Sequence, residues 1–159
     1  MTDPVTSLAR WLALRKRASK APTHIIPLED VHKVVVFLDT ADPDTDLAKK
    51  QIKIFFDRLG AEVVFLAPRK WEVNLFGWMK NISKLGLRDL DEDLFISLAD
   101  SYNFAAEYAA RCSRATFKVG HEQLKGGVFD LVVSKREHIL PRQGEIFEAM
   151  TEYLLKITK

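Results

Sequence analysis

The run Lys33-Val-Val-Val-Phe-Leu-Asp39 constrains this chain more than any other segment. Its β-branched and aromatic residues do not alternate with polar ones, the pattern of a strand buried on both faces as inside a parallel sheet. Asp42-Pro43 then offers a helix start, and Leu47, Ile52, Phe55, Phe56 and Leu59 supply an apolar face over 43–59 that ends at Gly60, a natural C-cap. Glu62-Val-Val-Phe-Leu66 follows as a second strand. A β-α-β unit closed within about 35 residues calls for a right-handed crossover between parallel strands.

The rest of the chain extends that unit. Leu94-Phe-Ile-Ser-Leu98 reads as a third strand, parallel to the first two because the intervening segments are far longer than a hairpin. A helix over 103–112 turns Phe104, Tyr108 and Ala109 inward, and Thr116-Phe-Lys-Val119 and Phe129-Asp-Leu-Val-Val133 supply strands four and five. The linker between them is shorter than a parallel crossover usually needs, so this pair is expected to be antiparallel. A last helix over 144–157 presents Ile146, Phe147, Met150, Tyr153, Leu154 and Ile157 to the sheet. Residues 67–93 follow neither period; they read as an irregular aromatic stretch around Trp71 and Trp78, a short helix near 80–85 and an acidic loop at Asp89, Asp91, Glu92 and Asp93. The fold class is therefore α/β: a single Rossmann-like three-layer domain over 23–159, its sheet mainly parallel. Val35, Phe37, Val64, Leu66, Phe95 and Ile96 form its expected core.

Ahead of that domain, Asp3-Pro4 opens a helix over about 4–20, with Val5, Leu8, Trp11, Leu12 and Leu14 at helical spacing. Pro22 and Pro27 bracket an extended connector. The net charge of the chain is only +2, but residues 1–28 carry Arg10, Arg15, Lys16, Arg17 and Lys20 against Asp3 alone. That asymmetry marks 1–22 as a basic amphipathic helix. Its cations suit phosphates on RNA, on the ribosome or on an anionic membrane surface.

Several classes of function are disfavoured. No apolar run approaches the ~20 residues of a membrane span, and no secretory signal is seen, so a soluble cytoplasmic protein is expected. One cysteine, Cys112, makes no internal disulfide or thiolate metal framework. It reads as a small core residue. No cofactor is expected, since neither G-x-G-x-x-G nor a Walker loop is present. His24, His32, His121 and His138 are isolated, which argues against a zinc centre or a triad. Asp39, Asp42, Asp44 and Asp46 resemble a carboxylate metal cluster, yet Ala41 and Leu47 break the relevant motifs. Capping by Asp42 and favourable placement of Asp44 and Asp46 at a helix N-terminus explain them more simply. Lys118 reads as an edge-strand lysine. No metal site is expected.

Ligands of open parallel sheets bind outside the carboxyl ends of the strands. By that rule the candidate ligand-binding residues are Asp39 and Thr40 after strand one, Asp100, Ser101 and Asn103 after strand three, and His121 with Gly120 after strand four. Asp100 or Ser101 is also placed to cap the following helix.

At Phe95-Ile-Ser-Leu98, Phe117-Lys-Val-Gly120, Glu152-Tyr-Leu-Leu-Lys-Ile157 and Phe76-Gly-Trp78 the chain resembles a small Bacteroidota family of unknown function. The likeness extends over most of the chain and implies no activity. Residues 94–121 alone are similar to the acceptor-binding half of heptosyltransferase-type glycosyltransferases. Those enzymes carry a glycine-bearing loop after the first strand and a second, donor-binding domain, whereas this chain has Asp39-Thr-Ala-Asp-Pro43 there.

Taken together, these features support a non-catalytic binding or interaction module acting through the basic helix, with Trp71 and Trp78 as the expected contact for a protein partner. The alternative is a small-molecule or sugar-nucleotide enzyme, or its inactive relative, using the loops after strands one, three and four. Asp39 or Asp100 would then be the acid or base, with Asn103 and His121 orienting the ligand.

Overall fold

A computed structural model of the chain describes residues 3–69, 91–134 and 143–157. Helix α1 spans Pro4–Arg17, strand β1 Lys33–Phe37, helix α2 Thr45–Leu59, β2 Glu62–Leu66, β3 Leu94–Ser97, α3 Phe104–Cys112, β4 Phe117–Gly120, β5 Leu131–Val132 and α4 Gln143–Leu154. The five strands form one sheet in the order β2-β1-β3-β4-β5. The unbroken apolar run of β1 has the central place its composition demands: Val34, Val35, Val36 and Phe37 are fully buried.

Alternate residues of β1 enter two different cores. Val34, Val36 and Leu38 pack with Ala48, Ile52 and Phe56 of α2 and Phe147, Met150 and Leu154 of α4. Val35 and Phe37 pack with Phe95, the alanines and Tyr108 of α3, and Ala13 and Leu14 of α1. The sheet thus lies between α2 and α4 on one face and α1 and α3 on the other. Phe55, Phe56 and Phe147 meet edge to face or tilted, with centroids 5.0–5.9 Å apart, and join the two helices of the first layer.

The strands expected to be parallel are parallel, β1 pairing with both β2 and β3. The expected antiparallel pair is not found: β5 runs parallel to β4, Val119 facing Leu131 and Gly120 facing Val132. A crossover of usual length includes a helix and returns along a full strand, and neither applies here. The ten residues 121–130 can span at most about 33–36 Å, while a return along the four residues of β4 needs about 13 Å. The short path is held by Gln123, whose Oε1 accepts from the amides of Leu124, Val128 and Phe129 and whose Nε2 donates to the Phe129 carbonyl. Gly126 and Gly127 supply the positive φ of 86° and 77° that the turn needs. Phe129 folds back over Gly120, where any side chain would run into its ring.

Other boundaries shift for local reasons. Helix α2 starts at Thr45 instead of 43, because the Asp42 carboxylate accepts from the Asp44 amide in a tight turn and the Thr45 hydroxyl donates to the carbonyls of Asp39 and Asp42. Leu47 and Leu59 are exposed, Tyr153 points to solvent from α4, and Val64 is only half-buried because β2 is an edge strand. Lys118 is not at an edge. It sits in β4 between two neighbours, buried, with Nζ donating to the Ala110 carbonyl at 2.7 Å. Helix α3 is capped by Asn103, whose side chain accepts from the Ala106 amide, and not by Asp100 or Ser101. Cys112 is buried, as expected of a core residue. Trp71, Trp78, Asp89 and the expected helix near 80–85 lie outside the described residues.

Candidate functional site

Beyond β1, the polar groups are engaged with one another. The Asp39 amide donates to Gln143 Oε1 at 2.6 Å, and Gln143 Nε2 donates to the Asp39 carbonyl and to Thr45 Oγ1 at 3.1 and 3.2 Å. Gln143 is thereby a buried clamp between the start of α4 and the end of β1. The Asp39 carboxylate accepts from the Ala41 amide at 2.9 Å, and the Thr40 hydroxyl donates to the Pro68 carbonyl. Asp39 and Thr40 therefore build the loop, and the structure gives neither a ligand-facing partner.

A different arrangement stands at the carboxyl ends of β3 and β4. Parallel pairing of these strands brings Asp100 and Ser101 beside His121 and Glu122. One ligand atom from each of Asp100, His121 and Glu122 lies within 4.8 Å of the others. His121 is buried, with Nδ1 3.4 Å from the Val133 carbonyl oxygen and Nε2 3.7 Å from an Asp100 oxygen. The Ser101 amide donates to Glu122 Oε1 at 3.2 Å and orients that carboxylate. Partial burial, and then the hydrogen bond and charge of Glu122, hold the Asp100 carboxyl above its usual range, with His121 pulling the other way.

The structure thus brings together Asp100, Ser101 and His121 from the sequence candidates and leaves Asp39, Thr40 and Asn103 out. Asn103 is occupied as the cap of α3. Two contributors escaped the sequence reading. Glu122 carried a signal, being the acid next to His121 in the same post-strand loop. Gln143 carried none, since nothing in a helix-opening glutamine announces a partner 104 residues away.

The N-terminal helix is docked, but not by the side its apolar residues would suggest. Ala13 and Leu14 pack on the α3 layer, and Arg10 stacks over the Phe104 ring at 4.4 Å. Beyond the helix, the Ser19 amide donates to the Arg111 carbonyl, the His24 amide to the Thr116 carbonyl and the Thr23 hydroxyl to Asp130. Val5, Leu8, Trp11 and Leu12 remain 70, 57, 53 and 50 % exposed. Arg15 lies 5.1 Å over the Trp11 ring, and Lys20 is exposed. Of the five cations, Arg10 is turned to the domain; the side chains of Lys16 and Arg17 lie outside the described residues.

A groove of about 480 Å³ lies elsewhere, between α2 and α4, lined by residues such as Leu47, Ile54, Phe55 and Phe147. It holds none of the candidate polar residues. Among the described residues no helix is long and apolar enough to cross a membrane. The fold and sites define the chain as an α/β protein built on a five-stranded parallel sheet. No family model, curated protein or solved structure matches it. The resemblances drawn above accordingly rest on their motifs.

Proposed function

We propose that this chain is a binding module whose N-terminal helix lies on an anionic membrane surface. The observation that carries the reading is the stripe of Val5, Leu8, Trp11 and Leu12, left in water on a helix whose other side is already docked. Phosphate contacts on RNA or the ribosome engage the cations, and a base can stack on Trp11, but neither covers Val5, Leu8 and Leu12. An anionic lipid interface covers the apolar side chains and also attracts Arg15, Lys16, Arg17 and Lys20. A cytoplasmic location fits contact with an anionic inner leaflet. The Rossmann-like, three-layer description of the domain is supported by the strand order and by helices on both faces.

Sedimentation with vesicles tests this. The protein should pellet with phosphatidylcholine vesicles carrying about 30 % phosphatidylserine, release as salt rises, and ignore neutral vesicles. Leu8→Glu/Leu12→Glu, at exposed positions, should abolish pelleting while leaving Tm unchanged. Unaltered pelleting of that variant would overturn the reading. So would RNA retention that depends on Arg15 but not on Leu8 and Leu12, with no vesicle binding, which assigns the helix to nucleic acid.

A second reading, a small-molecule site at the carboxyl ends of the strands, is supported by the convergence of Asp100, Ser101, His121 and Glu122. A thermal-shift screen against nucleotides and sugar phosphates tests it, because a ligand that binds the folded state raises Tm. No shift at millimolar ligand would remove it.

A further inference from the structure

We infer that Asp100, His121 and Glu122 form a binding site for a first-row transition-metal dication at the carboxyl ends of β3 and β4. The imidazole is the deciding group. A backbone carbonyl can only accept, so the contact of His121 Nδ1 with the Val133 carbonyl places the ring proton on Nδ1. In the neutral ring Nε2 then offers its lone pair toward the two carboxylates. This is the tautomer and the outer partner that metal-bound histidines usually have. Nε2 lies 3.7 Å from the Asp100 oxygen, too far for a hydrogen bond, so this nine-tenths-buried side chain aims its donor atom into the cluster without a hydrogen-bonded partner there.

The carboxylates complete the set. Glu122 is held by the Ser101 amide, and the Asp100 side chain is 61 % exposed. Ligand bonds of about 2.0–2.2 Å put neighbouring donors about 3–3.5 Å apart. The three donor atoms already lie within 4.8 Å of one another, with His121 Nε2 and an Asp100 oxygen 3.7 Å apart, so gathering them on one ion takes side-chain shifts of roughly 1 Å. One nitrogen and two carboxylate donors suit Zn²⁺ or Mn²⁺ better than Mg²⁺ or Ca²⁺, which favour all-oxygen sets. The exposed side of Asp100 leaves the remaining positions to water. This site is independent of the helix surface, since none of its residues belongs to α1.

The test is calorimetric titration of the full chain, stripped by chelator, with Zn²⁺, Mn²⁺, Mg²⁺ and Ca²⁺. Saturable binding of one Zn²⁺ or Mn²⁺ is expected, accompanied by a rise in Tm. Asp100→Asn and Glu122→Gln should each weaken it by about tenfold or more. His121→Ala should abolish it, and because His121 is buried the two carboxylate variants decide the matter if that protein does not fold. His24→Gln should leave binding unchanged. Parent-like affinity in Asp100→Asn and Glu122→Gln, absence of saturable binding, or equal affinity for Mg²⁺ and Zn²⁺ would each overturn the assignment. In the first two cases the trio is a polar cluster that holds no metal.

Discussion

Asp39 and Asp100 follow neighbouring strands of one sheet, and their surroundings differ. At Asp39 the carboxylate caps its own turn, the backbone is clamped by Gln143, and Thr40 is tied to Pro68. At Asp100 the carboxylate faces His121 and Glu122 across the neighbouring strand end. The rule that ligands gather at the carboxyl ends of parallel strands selects both places equally. What separates them is where the polar groups find partners: within the backbone at one end, across an open cluster at the other. Position in the fold nominates a site, and the remaining hydrogen-bonding and ligating capacity decides it.

The largest effect that would break this contrast lies at Gln143. Replacing it by alanine removes three hydrogen bonds inside a buried clamp and leaves the Asp39 amide and carbonyl without that partner. A loss of about 2–4 kcal/mol in denaturant unfolding is expected, from the cost of stranding buried polar groups. The cluster at Asp100 shares no residue with the clamp, so Gln143→Ala should bind Zn²⁺ as the parent does when still folded. A stability change below about 0.5 kcal/mol would show that the end of β1 is not held this way.

The legibility of the sequence divides along similar lines. β1, β2, β3 and α2 were readable because a continuous apolar run and a helical face are local patterns, and their parallel pairing followed from the length of the connections. The direction of β5 was not, because it depends on a ten-residue loop whose path is set by Gln123 and two left-handed glycines. Lys118 misled because a lysine in a strand usually marks an edge, and the Ala110 carbonyl that receives it belongs to another element. Of the site, Asp100, Ser101 and His121 could be named from their places after strands. Their union with Glu122, and the exclusion of Asp39, are tertiary facts. The docked side of α1 was likewise hidden: Arg10 stacking on Phe104 turns inward a cation that looked free for phosphate.

Lys118 extends the contrast to a cation and gives a smaller effect. Burial lowers its pKa from the ordinary 10.5, with Cys112, Asp130 and Glu92 opposing and Arg111 assisting. The folded protein therefore releases this proton at lower pH than the unfolded chain, so in that alkaline window the unfolded state binds more protons and stability rises with pH. Relative to Lys118→Met, the parent should gain stability as pH rises through the alkaline range below 10.5 in parallel urea titrations. A stability difference that stays flat, or that moves against the parent, would mean that Lys118 does not carry a buried charge.

The smallest expected effect is the sharpest test of the comparison, because it asks whether equal substitutions at the two aspartates have unequal consequences. Asparagine at position 39 keeps an oxygen that can accept from the Ala41 amide, so the turn after β1 should survive, and asparagine is as much at home in such turns as aspartate. Asp39→Asn should therefore change stability by less than about 0.5 kcal/mol and leave Zn²⁺ affinity at the parental value. The same exchange at Asp100 removes an anionic ligand while keeping size and shape, so it should leave the fold intact and lower the affinity. If Asp39→Asn abolishes metal binding or a ligand-induced rise in Tm, the carboxylate after β1 belongs to the site, and the division between a closed and an open end of the sheet is wrong. If both variants match the parent in stability and only Asp100→Asn loses the metal, charge matters where the carboxylate faces the cluster and only its oxygen matters where it builds a turn.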